Sequence, residues 1–89
     1  MLSMQDILDY CDLNDDVIEV IADHTGVPMI VAAEMSEALL CSPEGVCRLH
    51  MMLVECMKEA LARQRNERVI ELMEVYEHLR RSHPLPSHF

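Results

Sequence analysis

The stretch CSPEGVCRLH, residues 41–50, places Cys41, Cys47 and His50 within ten positions. Thiolate sulfur and imidazole nitrogen are the donors that tetrahedral zinc prefers. On a helix, Cys47 and His50 stand three residues apart and point about 60° from one another, close enough to share an ion. Cys41 lies just upstream, and His24 closes an earlier apolar segment, so either could extend the set. Cys56 points away from Cys47, on the opposite side of the same helix. A plainer reading competes with zinc. The chain has no C-x-x-C pair, and His50 falls inside an apolar arc of Val46, Leu49, Leu53, Met57, Ala60 and Leu61. Cysteine packs as a small hydrophobe, and a histidine in such an arc is expected to be a core residue bonded to a backbone group. The stretch therefore reads first as a helix start. Ser42 caps, Pro43 pre-sets φ, and Glu44 answers the helix dipole. Zinc held by Cys47, His50 and either Cys41 or His24 is the alternative.

Other chemistry finds less support. Asp12, Asn14 and Asp16 match the first half of a calcium loop. The glycine required at its sixth position is Val17, however, and the closing glutamate is Asp23. These carboxylates read better as helix caps. Glu55 and Glu59 lack the E-x-x-H companion of a di-iron site, and with Lys58 and Arg63 they read as a solvated face. No G-x-S-x-G, P-loop, H-E-x-x-H or dinucleotide glycine pattern occurs. No enzyme activity is expected, and no cofactor.

The segment IADHTGVPMIVAAEM, residues 21–35, resembles a bacterial helix-turn-helix. The resemblance rests on Ile21-Ala22 followed by Gly26-Val27, with Ala22 allowing close helix approach and Gly26 making the turn. It covers about 20 residues and implies two helices meeting at a glycine turn. It departs from the motif where DNA would be read. The second helix, Pro28-Met29-Ile30-Val31-Ala32-Ala33-Glu34, offers no Arg, Lys, Asn or Gln to a base edge.

The elements that must position these residues are helical throughout, with no run of alternation long enough for a sheet. A short helix is expected at about 4–11, opened by Ser3 and Asp6. Asn14 should cap a second, with Asp15 and Asp16 in its first turn, Val17, Ile18, Val20 and Ile21 on its apolar face, and Gly26 at its end. A third should run over about 28–41. Its core side is expected to be Val31, Met35, Ala38 and Leu39, leaving Met29, Ala33 and Leu40 as an outer strip. The fourth begins at 43. Beyond Ala62 the apolar residues thin out, then resume through Val69, Leu72, Met73, Tyr76 and Leu79, on a stripe rotated by about 80°. A single rod from 43 to 82 would be about 60 Å long. A short chain must cover both stripes, so a hairpin turning near Arg65-Asn66 is expected. The fold class is all-α: a compact bundle of four to five helices, the last two antiparallel. Residues 1–83 form one domain and 84–89 a loose tail.

Charge narrows the function further. The net charge is −9, unevenly placed: residues 1–47 hold ten acids and no Lys or Arg, and residues 48–89 hold six acids and all seven basic residues. The halves thus carry −10 and +1. A half without cations cannot neutralise phosphates, which supply most nucleic-acid affinity. No nucleic-acid partner and no membrane span are expected. The N-terminus lacks a basic leader, and the four cysteines read as reduced thiols, so a cytoplasmic location is expected. The aliphatic surplus, 51% hydrophobic with three aromatic residues, points to a partner instead of a substrate. The expected role is a small interaction or regulatory module, paired as a homodimer. Met29, Ala33, Leu40, Met51 and Met52 are its candidate contact residues, and its acidic half would attract a basic protein. An acidic decoy of a DNA-binding protein is a further alternative.

Overall fold

Asp15 and Asp16 open the first helix, α1 (Asp15–Thr25), with their carboxylates at the positive end of its dipole. The computed structural model describes residues 15–86. Three more helices follow: α2 (Met29–Leu39), α3 (Pro43–Ala62) and α4 (Asn66–Ser82). No strand occurs among the described residues. The expected helix at about 4–11, and with it Asp12 and Asn14 of the calcium reading, lies outside them.

Each connection is a short piece of cap chemistry. Gly26 ends α1 at φ +73°, and both its N–H (2.9 Å) and that of Val27 (3.2 Å) donate to the carbonyl of Ala22. Pro28, extended at φ −62° and ψ 157°, then caps α2. Ser42 caps α3 as its sequence announces: its Oγ accepts from the Gly45 N–H at 3.1 Å, with Pro43 in the first turn. The turn after α3 closes a Schellman motif. Arg65 N–H donates to the Ala60 carbonyl at 2.9 Å and Gln64 N–H to Leu61 at 3.0 Å. Gln64 occupies the left-handed position at φ +57°, where glycine would be usual. That turn folds α4 back along α3, so the hairpin forms where it was expected.

α1 packs against all three other helices, and α2 lies against α1 and α3. The core is aliphatic: Ile18, Ile21, Leu49, Leu53, Leu72 and Leu79 are all fully enclosed. Among the described residues Ser36 is the one buried hydroxyl, and it donates back to the Ala32 carbonyl at 2.7 Å. No buried side-chain nitrogen or oxygen among the described residues lacks a partner.

Two expectations about faces are corrected. In α2 the inward residues are Ala32, Ala33 and Ser36, flanked by Met29, Leu39 and Leu40, whereas Val31 and Ala38 face solvent. The strip expected to point outward points in. Small residues at its centre let the α2 backbone approach its neighbours closely, which the larger Val31 and Met35 would prevent. In the hairpin, Leu61 is 63% exposed and Met73 58% exposed, although both were placed on core stripes.

The two glycines serve different needs. A Cβ at Gly26 meets nothing within 4 Å, so only its left-handed backbone resists substitution. A Cβ at Gly45 would overlap the Leu39 carbonyl group, 2.6 Å from its carbon and 2.8 Å from its Cα. Gly45 is what allows α3 to start hard against the end of α2. Gly26→Ala should cost about 1 kcal/mol and Gly45→Ala about 2–4 kcal/mol. Urea titration of the two variants followed by circular dichroism checks this, and equal losses would show that the close approach at Gly45 is not needed.

Candidate functional site

His50 is 2% exposed, and both ring nitrogens are engaged. Nε2 lies 2.7 Å from the His83 carbonyl oxygen, and Nδ1 lies 3.1 Å from the Tyr76 hydroxyl. A carbonyl only accepts, so Nε2 carries a proton and donates. In the neutral ring Nδ1 then accepts from the Tyr76 O–H. The two rings meet edge to face, with centroids 5.4 Å apart and planes at 81°. Position 50 sits on α3, Tyr76 on α4 and His83 just beyond α4. The histidine therefore ties the far end of the hairpin to its first arm, 33 residues away in sequence. This is the core histidine bonded to backbone that the apolar arc implied.

The remaining zinc candidates do not join it. His24 sits at the end of α1, with Nε2 3.7 Å from a carboxylate oxygen of Glu55. It shares a cavity of about 340 Å³ with Cys56 and Asp23, not with Cys47. Cys41 is exposed, and its thiol donates to the Glu37 carbonyl at 3.5 Å. Among the described residues no group of three or more His, Cys, Asp or Glu side chains is placed to hold a metal ion.

The cavity brings a thiol, an imidazole, carboxylates and guanidinium groups onto one wall. It lies where the end of α1, the end of α3 and the start of α4 meet, and Arg63, Arg65 and Arg68 line it with Asp23 and Glu59. The charges largely answer one another. Arg63 pairs with Glu59 at 3.1 Å, and Arg68 pairs with Glu71 at 3.1 Å and Asp23 at 3.8 Å. Cys56 is the one nucleophile on the wall. Burial pushes its thiol above the usual range, and the neighbouring Glu59 carboxylate pushes it the same way. A reactive cysteine needs the opposite shift, toward thiolate.

Of the five candidate contact residues, Met51 alone keeps more than half of its surface in solvent, at 55%. Met29, Leu40 and Met52 are half-buried against the core, and Ala33 is 2% exposed. The large apolar side chains that do face solvent include Leu61, Ile70 and Met73, which flank the hairpin turn. On α4, Ile70 and Met73 share one face with Asn66, Glu77 and Arg80, beside the core stripe of Val69, Leu72, Tyr76 and Leu79.

The fold and this geometry define a small all-α domain of four described helices held by an internal histidine, with no helix among the described residues long and apolar enough to cross a membrane. Compared with known proteins, the chain matches no family model, no curated protein and no solved structure.

Two measurements bear on the site. His50→Phe keeps an aromatic ring, slightly larger than imidazole, but removes both hydrogen bonds, leaving the Tyr76 hydroxyl without its acceptor. It should cost about 2–4 kcal/mol, lowering Tm by roughly 10–25 °C for a domain of this size. A variant as stable as the parent would show the latch to be dispensable. In iodoacetamide labelling at pH 8 followed by peptide mapping, Cys41 should react ahead of Cys56, which should be at least about tenfold slower. The reverse order would contradict the assignment of Cys56 as a protonated wall residue.

Proposed function

We propose that this chain is a small non-enzymatic interaction module of the cytoplasm, acting as a pair of copies and docking a basic protein through the outer faces of α1 and α2. The observation that carries the reading is the charge on those faces. Asp15, Glu19 and Asp23 recur every fourth residue along the exposed ridge of α1. Glu34 and Glu37 stand exposed on α2, and Glu44 is exposed at the start of α3. Neither α1 nor α2 contains a lysine or arginine. Such a field raises the encounter rate with a cationic surface and repels phosphate. The outward face of α2, with Val31, Glu34, Glu37 and Ala38, offers nothing to a base edge, so the glycine turn serves packing and not DNA reading.

The test is affinity capture from native lysate with immobilised wild type beside a Glu34→Lys, Glu37→Lys variant. The captured protein should be basic, should be lost from the variant, and should associate at least about tenfold more slowly as salt rises from roughly 0.05 to 0.5 M. Capture indifferent to both salt and charge reversal would end this reading.

A further inference from the structure

α4 carries two seams. One, Val69, Leu72, Tyr76 and Leu79, is spent inside the bundle. The other, Asn66, Ile70, Met73, Glu77 and Arg80, is exposed along its length, with Ile70 at 59% and Met73 at 58%. Ile70 and Met73 form an apolar contact point on that face, and Asn66, Glu77 and Arg80 rim it with polar groups, the arrangement of a small helix-to-helix interface. We infer that this outer seam of α4 pairs antiparallel with the same seam of a second copy, across a two-fold axis near Met73. The inference rests on the reading that the chain works as a pair, and it names the surface.

Charge selects the occupant. The first half of α4, residues 66–74, holds Glu67, Glu71 and Glu74 against a single Arg68, a net −2. The second half, residues 75–83, holds Arg80 and Arg81 against Glu77, a net +1. A helix acidic at one end and basic at the other is complementary to its own reverse. A wholly basic partner would meet Arg80 and Arg81, and a wholly acidic one would meet the three glutamates. A two-fold axis perpendicular to the helix makes the pair antiparallel and gives an isologous contact. With the axis at Met73, the two Met73 side chains meet. Each Ile70 lies beside the aliphatic stem of Glu77 from the other copy, and each Glu67 comes within reach of Arg80 from the other copy, whose exposed pair with Glu77 of its own chain, at 3.7 Å, is loose enough to exchange. The macrodipoles of the two helices also oppose.

The seam from 66 to 80 is about 21 Å long. One helix pair of that length buries less than the roughly 800 Å² per partner of a standard interface, so the pair is expected to be weak and concentration-dependent.

Sedimentation equilibrium of the full chain from roughly 5 to 500 µM should show the mass rising from 10.2 kDa toward twice that value. Met73→Glu places two carboxylates together at the axis and should weaken the dimer at least about tenfold, with helix content by circular dichroism unchanged because the side chain is exposed. Arg80→Glu should weaken it, and adding Glu67→Arg to that variant should restore it, which a merely misfolded chain would not do. Met51→Glu, an exposed apolar site on α3 outside the seam, should leave it as in wild type. A wild-type dimer that survives Met73→Glu but is lost in Met51→Glu overturns the α4 geometry while pairing itself stands. A wild type that stays at 10.2 kDa throughout overturns both, and leaves the docking of a basic partner on α1 and α2 to its own test.

Discussion

The bundle depends on α1. Eleven residues form it, fewer than an isolated helix needs to hold its shape in water. It exists because the three other helices enclose it, and they share a core because it fills the space between them. Val17, Ile18, Val20, Ile21 and Ala22 are all buried, so the helix is apolar around most of its girth. The acidic ridge of Asp15, Glu19 and Asp23 is left to solvent, along with His24 at the end of the helix. The same short element is thus both the centre of the core and a carrier of surface charge.

Around that peg the fold is locked at its ends. The N-terminal end of α1 meets the C-terminal part of α4 through Asp16 and His78, whose atoms are 2.6 Å apart. The far end of the hairpin is tied by His50 to Tyr76 and the His83 carbonyl. The close seat of Gly45 against Leu39 fixes the corner between α2 and α3. The exposed ion pairs on α3 and α4, such as Glu59 with Arg63 and Glu77 with Arg81, are solvated and contribute little beyond helix propensity. What holds the molecule is aliphatic packing, closed by a few buried polar contacts that are fully satisfied.

This division explains why the chemically suggestive residues come to no common site. Cys47 and His50 share a helix, but His50 turns its nitrogens to a phenol and a carbonyl, and His24 is held beside Glu55 at the opposite end of α3. Arg63 and Arg68, beside the hairpin turn, are answered by Glu59, Glu71 and Asp23. The exposed surface that remains includes Ile70 and Met73 on the hairpin, Asp15 and Glu19 on α1, and Glu34 and Glu37 on α2.

Local chemistry was legible in the sequence. Ser42-Pro43-Glu44, Gly26 and the thinning of apolar residues before Arg65 each fix a backbone event within a few residues, so helix ends and the hairpin could be read from residue type and spacing. The faces of α2 and the exposure of Leu61 and Met73 could not. Met29, Ala33 and Leu40 form as good a stripe as Val31, Met35 and Ala38, and periodicity says only that two stripes exist. Which one turns inward depends on how closely a neighbouring backbone can approach, and that is settled by the small side chains of Ala32, Ala33 and Ser36 once α1 and α3 are packed on either side. The partners of His50 lie 26 and 33 residues away, and no local pattern connects them. Short-range sterics and capping wrote the elements, whereas the choice of inner and outer faces was made only when those elements competed for the same core.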